Sequence, residues 1–156
     1  IYGIGAKGGT RLGSLKIRPI NERDAFTLAL LAEEFMPREA TVEKRVNTLM
    51  QALKDPDYQL LLAEMDGEMV GFADQWIIHD FIHGGKLSYI QNLYVTPKHR
   101  KRGIGSQLLQ EIIKRAKEKE ALEIHVVTEF ENKPAINLYK KHGLIKESLQ
   151  LEMECK

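Results

Sequence analysis

The stretch Arg100-Lys101-Arg102-Gly103-Ile104-Gly105 sets three cations beside two glycines, just ahead of a run of apolar residues at helical spacing. Glycine lets the backbone approach a ligand closely and adopt positive φ. Free N–H groups at a helix start, together with the helix dipole, favour an anion. With Lys98 alongside, the run suits a diphosphate; taken alone, it suits a solvated basic loop equally well. A second pattern, Gly3-Ile4-Gly5-Ala6-Lys7-Gly8, matches G-x-G-x-x-G literally. That motif works only between a strand and a helix. Nothing strand-like precedes it and more glycine follows, so no dinucleotide role is assigned to it. Tyr139 offers a hydroxyl able to move a proton. It shares a helical face with Ala135, Leu138 and His142, where a tyrosine is ordinarily packing. The five histidines show no metal-ligand spacing, and no metal is assigned.

The elements that would position these residues follow from periodicity. Leu15 to Ile20 alternates like a strand. Asn21 and Asp24 are cap candidates for a helix to about Phe35, with Pro37 beyond it. Val42, Val46, Leu49, Met50 and Leu53 form one stripe after the cap candidate Thr41. Tyr58 to Met65 reads as a buried strand, Asp66-Gly67 as a hairpin turn, and Glu68 to Ile78 as the returning strand. Gly71 marks a bulge there. Lys86 to Val95 is the third strand of the meander, after a turn at Gly84-Gly85. Pro97 ends it, and a helix with the stripe Ile104, Leu108, Leu109, Ile112, Ile113 and Ala116 runs to about Lys119. Leu122 to Thr128 is a further strand. Asn132 caps a short helix that Gly143 closes, and Ser148 to Cys155 alternates again as a last strand. The order implies an α/β mixed sheet with helices on both faces.

Composition bounds the rest. The 156 residues suit one domain, read here as residues 15–156 after a flexible leader, 1–14, left from expression. That leader holds five of the 12 glycines and no acid. Hydrophobic residues at 43% and charged residues at 29% describe a globular chain. The net charge of +1 and the lack of interleaved aromatics count against a nucleic-acid module built on Lys98 to Arg102. No apolar run can span a bilayer. A single cysteine, Cys155, forms no intrachain disulfide. With no secretory h-region, the expectation is a cytoplasmic protein with no membrane partner.

From Tyr89 to Gly143 the chain resembles the GNAT superfamily of acetyl-coenzyme A-dependent N-acetyltransferases. The resemblance rests on Leu93-Tyr94-Val95 leading into Pro97, on R-x-x-G-x-G at Arg100 to Gly105, and on Asn132, Ala135-Ile136, Leu138-Tyr139 and Gly143-Leu144. The last block is close to N-x-x-A-x-x-L-Y-x-x-x-G-F, with Leu144 in place of Phe. The resemblance implies a GNAT-type fold, a central, mostly antiparallel sheet flanked by helices. It implies acetyl-CoA as cosubstrate and direct transfer to a primary amine. It puts Leu93, Tyr94 and Val95 on a splayed strand against the pantetheine arm, with the Leu93 N–H toward the thioester carbonyl. It wraps the pyrophosphate with Arg100, Lys101, Arg102, Gly103, Ile104, Gly105 and Ser106. It sets Asn132 near the pantetheine and makes Tyr139 the general acid for the leaving thiolate.

The base stays open. Many members carry a carboxylate where this chain has Gln91-Asn92, and amides cannot take a proton. Candidates are Glu129, Asp74, Glu64 and His79. Glu33, Glu34, Trp76, Asp80 and Phe81 are the acceptor-side candidates, and carboxylates beside aromatics suit a cationic amine. A polyamine, aminoglycoside, amino acid, protein N-terminus or lysine are all open as acceptors, and a homodimer is compatible with the reading. The non-enzyme alternative is a coenzyme-binding regulatory domain that has lost catalysis.

Overall fold

The computed structural model describes residues 14–155, so the glycine-rich leader, Ser14 apart, lies outside the described residues. β1 (Leu15–Pro19) leads into a single 3-10 turn at Glu22–Asp24 and then α1 (Ala25–Phe35). Asn21 caps this turn: its side chain accepts from the Arg23 N–H, and its own N–H donates to Asp24. α2 (Val42–Ala52) starts at Thr41, whose hydroxyl accepts from the Lys44 N–H. The meander follows as β2 (Tyr58–Met65), β3 (Glu68–Asp80) and β4 (Gly85–Val95). α3 (Ile104–Glu118), β5 (Ala121–Val126) and α4 (Lys133–Lys141) complete the order.

The five strands lie in sequence order in one sheet. Every pairing is antiparallel except β4 with β5, where α3 carries the chain across and makes a parallel pair. Side-chain alternation then splits the core in two. On one face Leu61, Ala63, Ala73 and Ile90 pack under Leu108, Leu109 and Ile112 of α3 and Tyr139 of α4. On the other, Leu60, Leu62, Phe72 and Tyr94 pack under Leu28 and Leu31 of α1.

Two bulges interrupt the meander. In β3 the partners step from Ala63–Gly71 to Glu64–Met69, leaving Val70 as the extra residue beside the glycine expected to mark it. A Cβ on Gly71 would lie 2.6 Å from the Tyr94 carbonyl oxygen, so the close approach of β4 demands glycine. In β4 the partners step from Asp74–Asn92 to Gln75–Ile90, leaving Gln91 extra.

Ser148 to Cys155 forms no strand. Among the described residues, the segment has no ladder partner, and every residue from 145 to 155 is exposed. Alternation shows that a segment can present an apolar face; it does not supply the neighbouring strand that must cover that face. β5 also ends at Val126, two residues before the expected Thr128.

Candidate active site

The site begins where β4 loses a neighbour. Its parallel ladder to β5 runs from Lys86 to Ile90 and stops. Its antiparallel ladder to β3 continues to Val95. Between Gln91 and Val95, therefore, one edge of β4 has no strand beside it among the described residues. The direction of the peptides follows from two bonds. The Asn92 N–H donates to Asp74 on β3 at 2.8 Å, and the Thr96 N–H donates to the Val70 carbonyl at 2.9 Å. Peptide direction alternates along a strand, so the Leu93 and Val95 N–H groups turn the other way, into the gap left by β5. The Val95 carbonyl points there too, and accepts from Arg100 Nε at 2.8 Å.

That gap opens onto the start of α3. Thr96 Oγ1 and His99 Nδ1 close the short turn after β4 at 2.8 Å. Arg100 lies over the Tyr94 ring at 5.5 Å. Lys101 (φ 61°) and Gly103 (φ 80°) both adopt the left-handed region, which costs a lysine and suits a glycine. Around Gly103 a Cβ would meet nothing, so conformation alone fixes the glycine there. The first α-type bond of α3 is Gln107 N–H to the Gly103 carbonyl. The N–H groups of Ile104, Gly105 and Ser106 thus have no partner within the helix. Arg100, Lys101 and Arg102 stand beside them, and a phosphate group fits this cradle on both charge and donors.

α4 closes the remaining side. Leu138 packs against Gly105, 3.6 Å from where a Cβ would sit. His142 Nδ1 donates to the Leu138 carbonyl at 2.9 Å, and its Nε2 hydrogen-bonds the Ser106 hydroxyl, also at 2.9 Å. The Ser106 side chain is thereby committed to α4, and what it offers the cradle is its backbone N–H. Asn132 caps α4 by accepting from the Ala135 N–H at 3.3 Å and stands exposed. Tyr139 is 7% exposed, yet among the described residues its hydroxyl has no hydrogen-bond partner and it is not one of the sealed polar atoms. Burial raises its pKa, so the O–H is retained at neutral pH.

A family model described as the acetyltransferase (GNAT) family matches residues 8–144. The chain belongs to the GNAT family. It is 35% identical over 101 residues to an N-alpha-acetyltransferase of Sulfurisphaera tokodaii, covering 60% of each chain. It is 27% identical over 146 residues to the thialysine N-epsilon-acetyltransferase of Sus scrofa, covering 85% of each. The chain thus spans about three fifths of the first of these proteins and most of the second. Among solved structures, an aminoglycoside N-acetyltransferase bound to coenzyme A superposes with a TM-score of 0.80 at 22% identity, over 95% of this chain and 98% of that one. At that identity the likeness is one of fold.

Within the GNAT fold, the candidate bases separate. Glu64 is paired with Arg18 at 2.7 Å, which holds its carboxyl below the usual range. His79 is exposed and lies five residues from the bulge, about 16 Å along the strand. Glu129 is exposed in the loop after β5. Only Asp74 lies at the bulge. It is 5% exposed, and burial pushes its carboxyl up. Its oxygens already accept from the Tyr58 hydroxyl (2.7 Å), the Asn92 N–H (2.8 Å) and Asn92 Nδ2 (3.0 Å). Asp74 therefore replaces the ladder bonds that the bulge removes. The acceptor-side candidates do not converge either. Glu33 is spent on Arg45 and the Arg38 N–H. Asp80 caps its own turn at Ile82 and His83, about 20 Å from Asp74 along β3, and Phe81 is 91% exposed there. Trp76 joins the bulge, its ring tilted against that of Tyr58 with centroids 4.7 Å apart; Glu34 lies instead by Tyr94, whose hydroxyl pKa burial and that carboxylate raise. Sequence reasoning missed the Tyr58–Asp74–Asn92 group as a unit, because the bulge that assembles it places no glycine or proline at or beside Gln91.

Proposed function

We propose that this chain acetylates a primary amine directly from acetyl-CoA, with its site along the open edge of β4 and the start of α3. The observation that carries this reading is the free edge from Gln91 to Val95, which runs into an unpartnered helix N-terminus flanked by Arg100, Lys101 and Arg102. An extended amide-bearing arm suits the first part, and a diphosphate suits the second.

When bound, acetyl-CoA supplies an acyl group already activated toward amines. The chain's residues do the rest. The N–H groups of Gly103, Ile104, Gly105 and Ser106 hold the diphosphate, with Arg100, Lys101 and Arg102 adding charge. Backbone groups of Leu93, Tyr94 and Val95 fix the arm, and Asn132 stands at its side. The Leu93 N–H donates to the carbonyl oxygen as negative charge gathers there. The amine nitrogen forms the new C–N bond while the C–S bond breaks. Tyr139 gives its proton to the departing sulfur, which leaves as a thiol, and regains one from water, since a buried tyrosine holds that proton at neutral pH. The amine's own proton leaves to water, because Glu64 and Asp74 are already engaged, His79 is remote and Glu129 stands in solvent on the loop after β5. Asp74 is a positioning residue: by fixing Asn92 it fixes the direction of the Leu93 N–H.

The acceptor is a primary amine. The relatives' names give an alpha nitrogen, the epsilon nitrogen of thialysine and the 6' nitrogen of aminoglycosides, and an amine nitrogen is what they share. The deciding experiment pairs calorimetry against coenzyme A with thiol release over an amine panel. Binding together with amine-dependent release supports an acetyltransferase. Binding with no release from any amine points to the regulatory alternative, and no binding removes the site.

A further inference from the structure

One face of the sheet carries a row of rings that the core leaves uncovered. Tyr58 of β2 is paired with Trp76 of β3, Trp76 with Tyr89 of β4, and Tyr89 with His125 of β5. Paired residues share a face, so four ring-bearing side chains cross four strands in one line. It is the face on which α1 packs over Leu60, Leu62, Phe72 and Tyr94. Among the described residues that layer reaches Tyr58 and goes no further: Trp76, Tyr89 and His125 belong to neither core layer, and all three are half-buried. Ile78, two residues beyond Trp76 on the same face, is 42% exposed.

The rings pack outward in two pairs. Trp76 lies against Tyr58 with centroids 4.7 Å apart, and Tyr89 lies nearly parallel to His125 at 4.9 Å. Trp76 and Tyr89 are the central residues of the row, with Cβ atoms about 5 Å apart across the ladder. Each turns its ring to the outer neighbour, and the row parts between them. This gap is continuous with the site at the bulge. Trp76 is two residues from Asp74, about 7 Å along β3, and the Tyr58 hydroxyl donates to that carboxylate at 2.7 Å. The acids beside the row are spent. Glu123 lies 2.9 Å from His125 Nε2 and 3.6 Å from His83 Nε2, and Asp80 lies 2.9 Å from His83 Nδ1. With these acids spent, the row offers a second cation only its π faces, whereas a flat ring gains burial on both walls.

We propose that the gap between Trp76 and Tyr89 receives a planar ring carried by the acceptor, so that the preferred substrate is an amine with an aromatic group several bonds from its nitrogen. The inference rests on the acetyltransferase reading for the nitrogen beside the Leu93 N–H, and adds the kind of body to which that nitrogen is attached. A free arylalkylamine and a peptide with an aromatic second side chain present the same chemistry. Trp76 is also the reporter, because the chain holds a single tryptophan and its emission therefore watches this row alone.

Two measurements on the full chain test it. With coenzyme A present, 4-phenylbutylamine should change Trp76 emission to saturation, and n-butylamine at the same concentrations should not. With acetyl-CoA, thiol release should favour 4-phenylbutylamine over n-butylamine, or Ala-Phe amide over Ala-Ala amide, by about tenfold or more in kcat/KM, carried mainly by KM. The pair with the larger ratio tells whether a small amine or a peptide is the source of the ring. Tyr89→Leu keeps an apolar side chain and removes one wall; it should abolish both the preference and the saturable emission change. Equal rates within both pairs, with no saturable emission change, overturn the ring site and leave the acetyltransferase reading standing. So does a folded Tyr89→Leu chain that keeps the preference. A saturable emission change with no thiol release from any amine supports the ring site and removes the activity instead.

Discussion

The two halves of β4 are built from similar residues and do different things. From Lys86 to Ile90 the strand has a neighbour on each side. Its buried polar residue, Ser88, donates to Gln75 Oε1 at 2.6 Å, and Gln75 Nε2 donates to Gln59 and to the Ile112 carbonyl. That network pins β2, β3, β4 and α3 in one register and leaves nothing free. From Gln91 to Val95 the strand has one neighbour. The buried polar residue opposite it on β3, Asp74, is a charge-bearing group that ties down the bulge and leaves the far peptide edge of β4 open. Adjacent residues of β3, Asp74 and Gln75, thus serve opposite faces: one maintains an opening, the other a closure. The proposed binding site sits where the ladder stops, because there the middle of the sheet has donors to spare.

The largest expected effect on the open half comes from Tyr139→Phe. The ring still fills its place under α3, so melting temperature and coenzyme affinity should hold. General acid catalysis is typically worth about 10²–10⁴-fold, and turnover should fall at least about tenfold in a thiol-release assay. Because the hydroxyl has no described protein partner, a tyrosine that only packs would lose nothing on becoming Phe. Full activity in this variant would therefore move the proton donor to solvent.

Next comes Gly103→Val. Gly103 holds φ 80° in open space, and a β-branched residue there pays about 1–2 kcal/mol of left-handed strain or turns its peptide away. Since 1.4 kcal/mol is about tenfold in affinity, coenzyme binding by calorimetry should weaken about tenfold or more in a folded variant. Unchanged affinity would show that the turn does not hold the diphosphate.

The closed half should answer in stability alone. Ser88→Ala strands the Gln75 carbonyl oxygen in the core, at a cost of about 1–2 kcal/mol. For a chain of this size that is a drop of roughly 2–4 °C in melting temperature per kcal/mol. Coenzyme affinity should not move. If affinity falls with stability, the two halves are one mechanical unit and the contrast between them fails.

Much of this division was legible in the residues. The helix stripes, the Asp66-Gly67 hairpin and the glycine turn ahead of α3 each carry local signals, and they folded as read. The β4 bulge did not announce itself, since Gln91 is an ordinary strand residue and the bulge exists only relative to β3. Asp74 stood out as a carboxylate, but its saturation by Tyr58 and Asn92 depends on residues 16 and 18 positions away. Glu33 and Asp80 suggested a cation pocket by type, and their partners Arg45 and His83 spend them elsewhere. Ser148 to Cys155 has a strand's alternation without a strand's neighbour, and alternation alone cannot say whose edge it meets.

The smallest effect is expected far from both halves, at Arg18. Its guanidinium meets Asp24 at 2.7 and 2.8 Å and Glu64 at 2.7 Å, and the three side chains are 13–25% exposed. The pairing holds both carboxyls below their usual range. A carboxyl whose folded pKa is depressed adds stability that is complete above its unfolded value, about 4, and is lost as pH falls through the folded value. Arg18→Met should therefore lower stability at neutral pH by about 1 kcal/mol and flatten the acid limb, so that the two curves converge in strong acid. Asp74 works with the opposite sign. Burial raises its folded pKa, so its charged form costs stability as pH climbs from its unfolded value through the folded one. Asp74 is present in both proteins and cancels in the difference between them. Urea melts across the acid range read that difference directly. Curves that stay parallel into strong acid would mean the pairing adds nothing specific to the charged carboxylates, while coenzyme affinity at neutral pH should be the same in both.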